Sequence, residues 1–450
     1  MNRDWLWSDG CFLGVLFVSL FFMIYGCRKS HHRLAFRRLF EKPVAVSALI
    51  LLLFFLVVAV LDSIPELMKQ DKESSDTRHV TLLDQVLAPL GTVDEKTYSA
   101  PLALHSYVTE TTWIDGVAEQ VYPALIYPNA RFKNSRDIKA YCFKMLEKSV
   151  LDSFIFVFGL AAMVWGARWM FGRDLGFFPS APFFASLVTL FFGIAVVLIF
   201  YYISRELHVF GTGKIGQDIF YHAVKSIRTG LVIGILTTVF MMPLALSCGV
   251  ASGYWGGRVD DVVQYIYTTL SSIPGVLLIT ASVLSIQTYL ANHPERFSSL
   301  SDDADARLLA LCFILGMTSW TTLCRLIRAE VLKLREMDFV LAGKALGTRD
   351  LKIMTKHLLP NVMHLVLVTM VLDFSFLVLA EALLAYVGVG VSPMTISWGN
   401  MINAARLELS REPVVWWPIL AAFGFMFMLV LASNIFADAV RDAFDPRQDV

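Results

Sequence analysis

Glu336-Met337-Asp338-Phe339-Val340-Leu341-Ala342-Gly343-Lys344-Ala345-Leu346-Gly347, followed by His357-Leu358-Leu359-Pro360, is a polar stretch set between two long apolar runs. Its spacing predicts a short helix. Phe339, Ala342, Gly343 and Leu346 fall at i, i+3, i+4 and i+7 and share one face. The middle of that face is small, which lets another backbone approach closely. Gly347 is a natural helix stop, and Pro360 is allowed in the first turn of the next helix, where its missing N–H costs nothing. Two readings stay open on spacing alone: a helix lying on lipid, or a helix that fills a groove on another protein.

Outward from this stretch the chain is apolar. Of its 450 residues 56% are hydrophobic and 17% charged, and the mean hydropathy is +0.61, so the fold class is an all-α polytopic membrane protein. The formal net charge is zero, yet basic residues crowd two loops. One holds Arg28-Lys29, Arg33, Arg37-Arg38 and Lys42; the other holds Arg328, Lys333, Arg335, Lys344, Arg349, Lys352 and Lys356. The positive-inside bias makes both cytoplasmic. Because membrane spans hem in both runs, a nucleic-acid patch is excluded. Six cysteines occur without a CxxC pair, so neither a disulfide framework nor a zinc site is indicated. His31-His32 reads as part of a charged loop, and no catalytic or metal-ligand spacing is present. No cofactor is expected in this chain.

Hydropathy places nine spans: Cys11–Cys27, Val44–Leu61, Val150–Met170, Pro182–Ile203, Thr229–Gly249, Val262–Leu290, Arg307–Ile327, Val362–Val389 and Val414–Phe436. Cys11–Cys27 reads as an uncleaved span rather than a leader, because the basic cluster follows it. Asp62–Lys148 mixes charge, proline and aromatics and reads as a small extracytoplasmic domain. Gly211-Thr212-Gly213-Lys214 invites a phosphate-loop reading that fails: His208 stands where the first glycine belongs, and Ile215 follows the lysine. Asn292–Ala306 is acidic, as suits the outer side. Six spans separate the two basic loops, and an even number returns the chain to one side. The N-terminus is then outside and the C-terminus cytoplasmic. Lys225 and Arg228, at an outward end, run against the bias.

Val340–Gly347 with His357–Pro360 resembles the "EAA loop" of ABC-importer permeases of the dipeptide/oligopeptide/nickel family, binding-protein-dependent inner membrane components. The pattern is EAA, three residues, Gly, then a distal Leu-Pro. Gly347 and Leu359-Pro360 keep the spacing; Leu341 stands at the Glu position and Gly343 at the second Ala. His208, Gly211, Thr212, Gly216 and Asp218 are similar to the family's segment before its second core span. Gly253–Asp261, Glu381-Ala382, Gly388–Gly390, Ser397–Asn400 and Arg441–Arg447 resemble further signatures in order. The likeness implies a six-helix permease core with three extra helices. Residues 1–43 are an extra span and basic loop, 44–62 the first core span, 63–148 an insert, 149–203 an inserted two-span hairpin, and 204–450 the rest of the core, with a coupling loop at 328–360.

The resemblance also implies a function. The chain would form the translocation path for peptide-like substrates in the bacterial inner membrane, by alternating access, and would not itself be an enzyme. Its coupling residues would be Asp338, Phe339, Leu341, Ala342, Gly343, Leu346, Gly347 and Pro360. The implied partners are a homologous second permease, two ABC ATPase subunits, an extracytoplasmic binding protein and membrane lipid; nucleic acid is not among them. For the path, Asp373 falls about twelve residues into its span, ~18 Å at the helical rise, where a charge is costly and tends to face a bundle interior. Glu381, near the outer interface, and Pro274, a kink giving its span a bendable wall, are further path candidates; a solvated carboxylate and an ordinary tolerated proline are the alternatives. Two other classes stay open: a secondary transporter relaying ions through Asp373, and a membrane scaffold whose 63–148 domain is the working part.

Overall fold

The computed structural model describes residues 5–26, 38–65, 80–171, 181–293 and 299–444, apart from 89, 92–94, 115–116, 128–131 and 133. The basic cluster at 28–37 with His31-His32, and Asp445-Pro446-Arg447, lie outside the described residues. In chain order the elements are α1 (Trp7–Gly26), α2 (Pro43–Ser63), α3 (Leu82–Val86), β1 (Glu110–Ile114), β2 (Val117–Val121), α4 (Ser135–Phe171), α5 (Ala181–Ser204), α6 (Ile219–Trp255), α7 (Gly257–Ser272), α8 (Gly275–Ala291), α9 (Leu300–Arg335), α10 (Asp338–Ala345), α11 (Asp350–Ile353), α12 (Leu359–Val387), α13 (Trp398–Ala405) and α14 (Trp417–Phe444).

Every predicted span falls on a helix or a bent helix pair. Among the described residues six helices are long and apolar enough to cross a bilayer, and α7 with α8 makes a seventh if the pair is one span. The other two predicted spans fall on α1 and α4. One expectation is corrected. Val262–Leu290 is no single kinked helix: α7 and α8 meet at 89° across Ile273-Pro274. Pro274 has no N–H to continue α7, and it holds Ile273 extended at ψ 131°. Within the predicted insert, α4 begins at Ser135, and its first turns carry Arg136, Asp137, Lys139, Lys144, Glu147 and Lys148.

The chain divides into two compact units. The first takes in Met1–Trp5, Arg37–Thr229 and Ile396–Ala432. Here α5 packs between α2 and α4. Thr189 Oγ1 donates to Ser47 Oγ at 2.8 Å, and Tyr202 Oη to Asp152 Oδ2 at 2.8 Å. β1 and β2 pair as an antiparallel hairpin with Trp113 opposite Ala118. The insert is built into this unit rather than tethered to it. Tyr98 is buried in a cluster with Ile219, Ala223, Val415, Trp417 and Ala421, and Tyr107 packs against that cluster. Tyr107 also stands edge-on to Trp417, with ring centroids 5.0 Å apart.

The second unit takes in Leu6–Phe36, Gly230–Thr395 and Ser433–Val450. α9 is its axis, packed by α1, α7, α8, α10 and α12. Ser299 caps α9 by accepting from Asp302 N at 3.2 Å; Asp302 and Asp303 sit in the first turn and Lys333 and Arg335 in the last, as the helix dipole favours. Gly249 and Gly253 of α6 let its backbone approach α9. A Cβ at Gly253 would lie 2.7 Å from Val331 Cβ and 3.0 Å from Arg328 O. α1 docks on α9 through Ser8: its backbone N donates to Asp305 Oδ2 at 3.0 Å, and its hydroxyl donates to the other carboxylate oxygen.

Candidate functional site: a short helix with an exposed apolar face

α10 forms where the periodicity places it. Leu341 N bonds Met337 O at 3.1 Å to open the helix, and Asp338 lies in the first turn, at the positive end of its dipole. The C-terminus closes as a Schellman motif. Gly347, at φ +73°, donates to Lys344 O, and Thr348 donates to Gly343 O, both at 3.0 Å. This is the stop the sequence announces.

One residue fixes the helix to the unit. Val340 is fully buried, in a cluster with Val331 and Leu334 of α9 and with Ile353, Leu358, Val362, Tyr254 and Ile327. The opposite surface stays open. Phe339 is 41% exposed, Leu341 46% and Leu346 85%. Ala342 is exposed and Gly343 intermediate. A Cβ at Gly343 would meet only Ile353, at 3.9 Å, so packing does not demand glycine there. The small face is thus unused by this chain.

Polar contacts brace the surroundings. Tyr254 Oη donates to Asp350 Oδ1 at 2.7 Å, and Lys344 Nζ lies 4.8 Å over the Tyr254 ring. Arg328 clasps Asp260 with two bonds, Nε–Oδ1 2.5 Å and Nη2–Oδ2 2.6 Å. α11 runs through one π turn, Met354–Leu358, into α12, where Pro360 occupies the first turn. The helical rod continues through the proline. Leu359 N reaches back to Met354 O, and Asn361 Nδ2 donates to His357 O at 2.7 Å.

The path candidates are not gathered into one constellation. Asp373 is half-buried on α12 and makes no hydrogen bond or ion pair among the described residues. Glu381, eight residues on and about 12 Å along the axis, is only 3% exposed. The alternative of a solvated carboxylate there is overturned: α12 turns that side inward, where Ser375, Leu377 and Val378 are buried as well. Pro274 caps the exposed corner between α7 and α8.

Sequence reasoning missed two polar clusters in the first unit. His208 is buried with Nδ1 2.6 Å from Asp218 Oδ2 and Nε2 3.6 Å from Glu95 Oε1. Glu95 also accepts from Ile126 N and Tyr127 N, each at 2.8 Å, and Tyr221 N donates to Asp218 at 2.7 Å. Burial opposes charge on the imidazole, but the two carboxylates outweigh it and push the His208 pKa up to about 9. Burial would likewise raise Glu95, yet His208 and the two backbone N–H groups hold it below the usual range. The signal was available: His208 and Asp218 both lie in the segment that resembles the family. The second cluster explains the charge anomaly. Lys225 Nζ bonds both oxygens of Asp84, at 2.7 and 2.8 Å, and lies 3.7 Å from Asp62 Oδ1. Burial works to raise the Asp84 pKa, and Lys225 and Tyr221 more than reverse it.

The profile of the binding-protein-dependent transport system inner membrane components matches residues 219–450, just over half the chain and all of α6 to α14. The chain belongs to this family. The permease is 31% identical over 244 residues to the dipeptide transport system permease protein DppC of Lactococcus lactis subsp. cremoris, covering 54% of this chain and 65% of that protein, just under two thirds. It is 29% identical over 240 residues to the oligopeptide transport system permease protein OppC of Bacillus subtilis, covering 53% and 72%. It is 32% identical over 243 residues to a putative peptide transport system permease protein of Brucella suis biovar 1, covering 54% and 75%. The chain is a multi-pass membrane protein of this family, and the relatives named are permease proteins of peptide transport systems.

Proposed function

We propose that this permease forms part of a translocation path for peptide-like cargo, and that the open face of α10 docks in a cleft of a separate ATP-hydrolysing subunit. One observation carries the reading. α10 keeps Val340 in the core and presents Phe339, Ala342, Leu341 and Leu346 outward, in a chain of this family. ATP closes a pair of ATPase subunits, which displace α10. Val340 transmits that displacement through its packed neighbours Ile353, Leu358, Val331 and Leu334, and the core helices rock from an outward-open to an inward-open state. The relatives' names, which specify dipeptide and oligopeptide transport, support a peptide-like cargo. ATP hydrolysis then belongs to the partners, and a second permease and an extracytoplasmic binding protein complete the importer.

In this reading α10 is cytoplasmic, the N-terminus is outside and the C-terminus inside. The Ser8–Asp305 contact supports that orientation, because it sets the start of α1 beside the acidic start of α9. The test is co-purification of the permease with an ABC ATPase subunit, followed by peptide uptake into proteoliposomes. Wild type should hold the subunit and take up peptide only with ATP. Leu341→Arg or Gly343→Glu should release it. A second reading, gradient-driven transport through Asp373, draws on that residue's lack of a partner among the described residues. Uptake driven by a proton gradient, with no ATPase subunit present, would favour it.

A further inference from the structure

We propose that the cleft receiving α10 has an apolar floor and an acidic rim, and that Leu341 selects a partner of that chemistry. The inference rests on the docking reading above and specifies the partner. Leu341 is 46% exposed on the open side of α10. A carboxylate there would need a cation or water opposite it. A leucine gains only from apolar surface, and loses if it must cover a charged group left without a partner. Phe339, Leu346 and Leu351 are exposed around it, so the outward surface of α10 and α11 is apolar at its centre.

The flank is basic. Arg349, Lys352 and Lys356 are exposed and make no ion pair among the described residues, and Lys344 is exposed in the last turn of α10. Phe339 and His357 have ring centroids 6.4 Å apart, so the segment bearing Lys356 borders the apolar patch. Against these stand Glu336, Asp338 and Asp350; Glu336 pairs with Arg335 at 3.0 Å, and Asp350 accepts from Tyr254. A greasy centre with cationic borders is complementary to a groove lined by aliphatic side chains and edged by carboxylates. Such borders speed association and make it salt-dependent, while the centre sets residence time.

The test measures binding of purified permease, in nanodiscs, to the ATPase subunit that co-purifies with it. Position 341 is exposed, so substitution there should leave thermal unfolding unchanged. Leu341→Met should bind like wild type, and Leu341→Glu should bind about tenfold more weakly or worse. The double variant Lys352→Gln/Lys356→Gln should associate more slowly at low salt and lose part of the salt dependence. Leu346→Arg controls for docking itself and should abolish binding. If Leu346→Arg abolishes binding while Leu341→Glu binds as tightly as wild type or tighter, the apolar floor is wrong and docking stands. An unchanged salt dependence in the double lysine variant overturns the acidic rim. If no variant changes binding, or if anionic lipid vesicles rather than the ATPase subunit cover the face, the docking reading falls together with the inference.

Discussion

His208 Nδ1 lies 2.6 Å from Asp218 Oδ2 in a site closed to solvent. Glu95 faces the other side of the ring, so a residue of the insert and a residue of the family segment share one imidazolium. The charge on His208 therefore holds the insert to the core.

That charge predicts an alkaline weakness. The His208 pKa rises from 6.5 unfolded to about 9 folded, so its contribution is complete below pH 6.5 and lost as pH climbs through 9. The shift corresponds to roughly 3 kcal/mol at most. Thermal unfolding in detergent should show stability falling between pH 7 and 10. His208→Gln should start lower and lose that part of the slope. A wild-type curve flat across the window would contradict the clasp.

Two glycines should respond oppositely to alanine. Gly216 sits at φ +79°, and a Cβ there would lie 1.6 Å from Glu95 O. Gly216→Ala should break the join and lower the yield of folded protein sharply. Gly343 has room for a Cβ, so Gly343→Ala should keep binding and add about 0.5–1 kcal/mol of helix stability. Loss of ATPase binding in Gly343→Ala would mean that the partner backbone needs the missing methyl's space.

Val340 is where α10 is anchored, so its truncation should loosen transmission rather than docking. Val340→Ala should cost about 1–3 kcal/mol of local stability and leave the ATPase subunit bound. Peptide transported per ATP hydrolysed should fall. Equal losses of binding and transport would make Val340 a docking residue instead.

Asp373→Asn separates the path role from a structural one. With normal expression and ATPase binding, uptake should fall or shift in peptide preference. Unchanged uptake across peptides of differing charge would remove Asp373 from the path.

The helices were legible because hydropathy and the 3.6 period act locally. α10, its Gly347 stop and the six long apolar helices follow from them. The corner at Pro274 was read as a mere kink. α7 carries Arg258, Asp260, Asp261 and Gln264 beside Val262, Val263 and Ile266, and averaging over such a segment hides that it is amphipathic. The Glu95 half of the clasp could not be read. Glu95 is more than a hundred residues from His208 and lies in a segment without family likeness. Lys225 did announce itself as a charge on the wrong side, but its partners Asp62 and Asp84 come from a different element and the insert. The two readings of Glu381 stayed open because its depth along α12 says nothing of which side the helix turns inward.

On the proposed function, the outward face of α10 meets an ATPase subunit in the cytoplasm. The direct measurement is labelling of Leu346→Cys, in a cysteine-free background, with a membrane-impermeant maleimide. The account predicts no labelling in intact cells, full labelling in inverted vesicles stripped of peripheral subunits, and protection when the ATPase subunit is restored. Labelling from outside intact cells would contradict it.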